Sequence, residues 1–142
     1  TGCLLVNLTA DNKVQKIYEN KVMKNHHGGV LLVGDFLYGH SDSDGIICQD
    51  FNTGAAVWSD SKKGGSKGLT YADGMLYCID EDSGDCFLVE ANSMGYKEVS
   101  RFKLEPQTTQ RNPMGRVWTH PVISNGCLYL RDQEIICCYK IK

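Results

Sequence analysis

The sequence lacks a long apolar run, a strong net charge and the common catalytic signatures. None of its apolar stretches approaches the roughly 20 residues that a membrane-spanning helix needs. Lys and Arg number 15 against 17 Asp and Glu, and the net charge of −2 gives no electrostatic footprint for nucleic acid. There is no Gly-x-Ser-x-Gly elbow, phosphate-binding loop or dinucleotide fingerprint. These absences argue against a transmembrane segment, a nucleic-acid partner and the enzyme classes that carry those motifs.

What the sequence does contain is a repeat centred on the pair Leu-Tyr. The pair occurs at 37–38, 76–77 and 128–129, each time separated by one residue from a preceding turn dipeptide that follows a short apolar run. Self-similarity at about 40 residues, with short strands and tight turns, is typical of a β-propeller, in which each repeat forms one four-stranded blade. We therefore predict an all-β fold built from antiparallel propeller blades.

The chain is too short for a closed propeller. A ring of four or more blades at about 40 residues each needs more than 142 residues, so we predict a partial propeller of about three blades. The predicted parts are the end of a blade at 1–20, a blade at 27–60, a blade at 66–103, an inserted loop at 104–116 and a last blade at 117–142 without its outer strand. Closure would need missing N-terminal blades or self-association, because open ends expose pairing edges.

Turn residues divide the two complete blades into strands. Short runs rich in β-branched and aromatic residues, bounded by Gly, Asp and Asn, are typical of strands. In the first blade they lie at 29–33, 36–41, 46–51 and 55–59, and in the second at 69–72, 75–80, 86–91 and 96–102. The inserted loop is the segment most favoured for function, because long loops in compact repeats are usually functional.

Seven cysteines are many for this length, and their number is odd. No two pairs have zinc spacing, and most lie within apolar strand segments, where a free cysteine behaves as a small hydrophobe. We expect core thiols, with a disulfide or a metal site as the alternatives.

Residues 48–58 read Cys-Gln-Asp-Phe-Asn-Thr-Gly-Ala-Ala-Val-Trp. This stretch resembles the tryptophan-docking repeat of propellers of the pyrroloquinoline-quinone (PQQ) type. The resemblance implies that Trp58 stacks between blades, near the turn of its neighbour, while Asp50, Thr53 and Gly54 shape its own turn. The second blade departs from the pattern, with Val99 where Trp58 would align.

Two further stretches, 68–78 and 118–132, resemble bacterial PQQ-like repeat proteins, a group that includes relatives of the BamB-type outer-membrane assembly lipoprotein. The resemblance implies a C-terminal portion of a non-catalytic binding or scaffolding propeller, for a protein or a cell-envelope component, in an extracytoplasmic location and without a cofactor. The free thiols argue mildly against an oxidising compartment.

The alternative is a fragment of a PQQ-dependent alcohol dehydrogenase, which would require PQQ, calcium and a catalytic Asp that we cannot place. In such enzymes adjacent cysteines form a disulfide beside the cofactor, as Cys137 and Cys138 would have to do. Successive strand residues point to opposite faces, so we expect this pair to be structural. An enzyme acting on a sugar or polymer at the channel is a third possibility.

Candidate ligand-binding residues stand just before the innermost strands, which line the channel of a propeller. We expect one group of side chains to gather near one opening of the channel as a ligand or peptide site: His26, His27, Trp118, His120 and Arg131. Polar contacts between blades are the alternative interpretation. Three histidines could also bind a metal, but no spacing in the sequence enforces this. We predict no catalytic residue and no metal ligand.

Overall fold

The structure is a computed structural model that describes residues 2–42, 44–60 and 66–142. These residues form 13 strands in four antiparallel sheets. Sheet 1 contains β1 (Cys3–Leu8) and β2 (Val14–Asn20). Sheet 2 contains β3 (Val30–Val33), β4 (Phe36–Ser41), β5 (Gly45–Asp50) and β6 (Ala56–Asp60). Sheet 3 contains β7 (Ser66–Ala72), β8 (Met75–Asp80), β9 (Asp85–Glu90) and β10 (Glu98–Lys103). Sheet 4 contains β11 (Val122–Ser124), β12 (Cys127–Asp132) and β13 (Ile135–Lys140).

Each sheet is a meander in which consecutive strands pair, as in the blades of a β-propeller. Tight turns set this order. Asp73 and Gly74, and likewise Asn125 and Gly126, all have positive φ, which a two-residue hairpin turn of type I′ requires. In the described part of the chain, no helix is long and apolar enough to cross a membrane.

Sheet 3 is buried on both faces. Leu76 and Cys78 belong to the apolar cluster shared with sheet 2, whereas Tyr77 and Ile79 belong to the cluster shared with sheet 4. This alternation follows from the two-residue period of a strand, which sends successive side chains to opposite faces. The sheets therefore stack face against face, and most of the core lies in the two layers on either side of sheet 3.

The end sheets of the stack keep apolar side chains on the surface. Leu8 in sheet 1 is 70% exposed, and Ile136 in sheet 4 is 68% exposed. On β13 half-buried and exposed residues alternate, and on β1 only Cys3 and Leu5 are half-buried. An incomplete ring of blades has such faces at both ends.

Each strand proposed from the sequence has a counterpart in the structure, with ends that differ by a few residues. One alignment was wrong. Cys48 pairs with Trp58, and at the corresponding point of sheet 3 Leu88 pairs with Ser100, so Ser100 and not Val99 occupies the position of Trp58. The cause is loop length. The Asp50–Ala55 hydrogen bond encloses residues 51–54, whereas the Glu90–Lys97 bond encloses residues 91–96.

All seven cysteines are free thiols. Cys48, Cys78 and Cys86 are fully buried in the two apolar clusters, as expected of core thiols. Cys137 and Cys138 are adjacent on β13, where strand geometry sends their side chains to opposite faces. They form no disulfide with each other.

Candidate functional site

Loops from three successive sheets meet around the side chain of His27. The ring of His26 stacks on that of His27, with centroids 3.9 Å apart and an interplanar angle of 18°. The indole of Trp118 also contacts the His27 ring, with centroids 5.3 Å apart and an interplanar angle of 44°. His26 and His27 precede β3 in sheet 2, and Trp118 precedes β11 in sheet 4. The structure thus brings together three of the five candidate residues by direct ring contact.

Glu81, which directly follows β8, ties this ring cluster to sheet 3. Its carboxylate accepts a 2.7 Å hydrogen bond from Trp118 Nε1 and lies 4.0 Å from His27 Nε2. Its main-chain oxygen accepts a 2.9 Å bond from the amide of Val117. Only 12% of the Glu81 side chain is exposed. Because the carboxylate satisfies the indole N–H, the orientation of Trp118 is fixed.

His120 joins the same loops through the main chain. Its Nε2 lies 3.0 Å from the main-chain oxygen of His27, and its ring covers Gly29. A Cβ atom at Gly29 would lie 3.3 Å from that ring, and Gly29 has a φ of +70°. His120 therefore holds the loop that carries the stacked histidines.

Arg131 lies beside Trp118. The two residues share a cavity of about 220 Å³, which is also lined by Arg116, Val117, Thr119 and Gln133. Arg131 Nε donates to the main-chain oxygen of Gln133 at 2.7 Å, and Arg116 pairs with Asp82. Trp118, which is 50% exposed, contacts the ring of His27 and also lines this cavity. We call His26, His27, Trp118, Arg116 and Arg131 the His–Trp surface.

An exposed indole that shares a cavity with two guanidinium groups can bind a partner in two ways. The ring offers a large, rigid apolar contact, and the arginines supply fork-shaped donors for carboxylate or carbonyl oxygens. Within the described residues, no group of three or more His, Cys, Asp or Glu side chains could hold a metal ion.

Trp58 occupies the junction of sheets 2 and 3. Its ring lies between Tyr38 and Tyr96, with centroids 6.0 and 6.2 Å away, and its Nε1 donates a 2.8 Å bond to the main-chain oxygen of Asn92 in sheet 3's β9–β10 turn. The turn before Trp58 is closed by Asp50, whose carboxylate accepts bonds from the amide (2.7 Å) and hydroxyl (2.8 Å) of Thr53. Those hydrogen bonds lower the pKa of Asp50.

Tyr18 holds the corresponding place in sheet 1, a role that the sequence pattern did not predict. Leu5 pairs with Tyr18 as Cys48 pairs with Trp58, and a register shift follows at the same point in both sheets. The only sequence signal was an aromatic residue within the predicted end of a blade at 1–20.

The inserted loop is clamped onto the sheets by polar contacts. Asp132 of β12 accepts a 3.0 Å bond from the amide of Thr108 and pairs with Arg111. Gln107 donates to the main-chain oxygen of Ser83 in sheet 3 at 2.8 Å. These contacts join sheets 3 and 4 next to the His–Trp surface, so much of this loop is structural.

No family model and no curated protein sequence matches the chain. Among solved structures, BamB from Moraxella catarrhalis is similar in fold, with a TM-score of 0.63 and 16% identity. The match covers 88% of this chain and 34% of BamB, so the chain spans about a third of that structure. At this identity the similarity shows the fold alone. Together with the four stacked sheets, it confirms the predicted fold class, a partial β-propeller.

Proposed function

We propose that this propeller is a non-catalytic scaffold in the cell envelope, and that it binds a partner protein through its His–Trp surface. The observation that carries the proposal is Trp118, an indole that is half exposed and yet held in one orientation. Its N–H is already bonded to Glu81, so its exposed face is free for a partner. The fold similarity to BamB and the resemblance to PQQ-like repeats of that type support the choice of a scaffold and of an extracytoplasmic location.

The composition of the surface favours a polypeptide partner. Binding energy at protein interfaces concentrates in a few Trp, Tyr and Arg residues near the centre of the contact. Trp118 lines the same cavity as Arg116 and Arg131. A fixed indole loses little conformational entropy on binding, and this raises the affinity obtained from a given contact area. The proposal requires neither PQQ nor calcium.

Rigidity of the platform is the second requirement of a scaffold. Glu81, His120 and Val117 connect the loops of sheets 2, 3 and 4, so the surface is anchored in three sheets. A partner bound there contacts an assembled face instead of a single loop.

The test compares partner binding by the intact protein and by Trp118→Ala. Envelope proteins retained by the immobilised protein are identified, and the purified partner is then titrated against each variant. We expect Trp118→Ala to weaken the Kd by about 30-fold, the effect of losing a hot-spot residue worth about 2 kcal/mol. Tyr71→Ala, which removes another exposed ring (42% exposed), should leave the Kd unchanged. Equal affinity of both variants and the unaltered protein would show that the His–Trp surface is not the binding site.

A further inference from the structure

Hydrogen bonds place sheets 2, 3 and 4 in one common frame. The amides of Phe51, Ala91 and Ile141 donate to the main-chain oxygens of Asp35, Gly74 and Gly126, each at 2.9 Å. Each acceptor belongs to the hairpin turn just before a Leu-Tyr pair. The junction of sheets 2 and 3 can therefore be compared, position by position, with the junction of sheets 3 and 4.

At the first junction the indole of Trp58 fills the space between the sheets. At the second, Ser100 stands in the place of Trp58, and Tyr77 stands in the place of Tyr38. A serine side chain cannot fill an indole-sized space. A cavity of about 360 Å³ lies there, lined chiefly by Tyr77, Leu88, Ser100, Phe102, Leu128 and Tyr139. We call this cavity the vacant slot.

Phe102 and Tyr139 keep the vacant slot from closing. Phe102 lies two residues beyond Ser100 on β10, and its ring contacts that of Tyr139 at 4.9 Å. The Tyr139 hydroxyl is fixed by a 3.1 Å bond to the main-chain oxygen of Glu105. The aromatic pair forms one wall of the slot, and Tyr77 and Leu128 are buried in the core beneath it. The slot therefore has a mostly apolar lining, to which Ser100 and Lys140 add polar groups.

We propose that the vacant slot binds an aromatic side chain, tryptophan first, from a polypeptide bound to this propeller. The first junction supplies the argument, because it shows that an equivalent slot accepts an indole and satisfies its N–H with a main-chain oxygen. An apolar cavity of about 150 Å³ already suffices for benzene, so the slot is large enough for an indole. Rings pack well against a wall of rings, which favours an aromatic over an aliphatic occupant.

The proposal goes beyond the His–Trp surface, with which the slot shares no residue. It rests on the proposed scaffold function in one respect only, namely that the aromatic side chain belongs to a polypeptide partner. Binding of a peptide in the slot should not change in Trp118→Ala. The failure of one proposal is thus distinguishable from the failure of the other.

The experiment is an amide NMR titration of the intact protein with three probes: acetyl-Gly-Trp-Gly-amide, acetyl-Gly-Leu-Gly-amide and free indole. We expect the Trp peptide to saturate, to shift the amides of Ser100, Phe102 and Tyr139, and to bind about tenfold more tightly than the Leu peptide. Ser100→Trp, which fills the slot from within, should abolish this binding. Val99→Trp is the matched control, since it adds the same ring at a residue outside the lining, and it should bind as the unaltered protein does.

Four outcomes would overturn the proposal: no saturable binding, shifts confined to other surfaces, equal affinity for the Trp and Leu peptides, or unchanged binding by Ser100→Trp. Binding of free indole in the slot without binding of the Trp peptide would identify a small-molecule site and also contradict it. If Ser100→Trp does not fold, Ser100→Phe is a smaller filling of the same slot, and the shift map of the unaltered protein stands as an independent test.

Discussion

Gly54 lies so close to Tyr18 that a Cβ atom at residue 54 would stand 2.8 Å from the tyrosine ring. The same atom would stand 2.6 Å from the side-chain nitrogen of Asn20, which donates a 2.8 Å bond to the Gly54 oxygen. This contact joins sheet 1 to sheet 2 at the β5–β6 turn. Glycine is therefore required there both by its φ of +73° and by the space available.

Gly54→Ala should destabilise the protein more than Gly34→Ala. Both glycines have positive φ, so both substitutions carry the backbone cost of about 1 kcal/mol. A Cβ at Gly34 meets nothing within 4 Å, whereas at Gly54 it collides with Tyr18 and Asn20. We expect a loss of about 3 kcal/mol for Gly54→Ala and about 1 kcal/mol for Gly34→Ala, measured by urea unfolding. Equal losses would show that the contacts of Tyr18 and Asn20 in sheet 1 do not limit the space at residue 54.

Removal of the Trp58 ring should be among the most destabilising single changes. Trp58→Ala deletes the ring between Tyr38 and Tyr96, and we expect a loss of about 3 kcal/mol, at the lower end for a large aromatic because the residue is only half-buried. Trp58→Phe keeps a ring but leaves the Asn92 oxygen without its donor, which should cost about 1 kcal/mol. Thermal and chemical unfolding measure both.

The control for Trp58 is Ser100→Ala, at the corresponding position of sheet 3. It should change stability by less than about 0.5 kcal/mol, as a surface substitution does. A loss as large as that of Trp58→Ala would mean that the two junctions are not related as their registers indicate.

The sequence sufficed for the fold because the repeat depends on local signals. The Leu-Tyr pairs, the turn residues and the docking pattern around Trp58 can all be read along the chain. The roles of Tyr18 and Ser100 could not be read in this way, since they depend on a register shift and on the length of the β9–β10 loop. Glu81 was missed for another reason: its partners, His27 and Trp118, come from two distant loops that only the stacked sheets bring together.

Asp132→Asn should loosen the inserted loop and destabilise the protein. The Asp132 side chain is fully buried and pairs with Arg111, whose side chain is 18% exposed. The neutral amide of asparagine cannot balance the guanidinium charge of Arg111. Removing one partner of a buried ion pair costs at least about 3 kcal/mol of folding free energy. We expect a loss close to this lower limit, because Arg111 is partly exposed. Unfolding experiments give the loss, and limited proteolysis should show faster cleavage within 104–116.

The matched control for that pair is Glu98→Gln, which removes one partner of the more exposed Arg101 pair on β10. Its side chains are 35% and 19% exposed, so solvent screens the interaction, and the loss should stay below about 1 kcal/mol. If both substitutions cost the same, burial does not distinguish the two pairs, and the Asp132 contact does not clamp the loop.

The stability of the protein should fall in alkaline solution, beginning near pH 9. Burial raises the pKa of the Cys86 thiol from its ordinary 9.0 to about 12. The unfolded chain therefore releases this proton at a lower pH than the folded chain does. The folded state binds more protons in between, so this contribution is complete below pH 9 and is lost as the pH rises towards 12.

One such thiol gives a slope of up to about 1.4 kcal/mol per pH unit. Cys86→Ala should lower the free energy of unfolding at pH 7, because it leaves a small cavity in the core. The same substitution should make the free energy of unfolding decline less steeply between pH 9 and pH 10, because the buried thiol is gone. Urea unfolding at a series of pH values measures both effects. Ile136→Ala is the control, since that side chain is 68% exposed and carries no titratable group, so its truncation should leave the slope unchanged. A slope that Cys86→Ala does not alter would assign the alkaline loss to other buried groups, of which Tyr38 is the first candidate, because burial also raises its pKa.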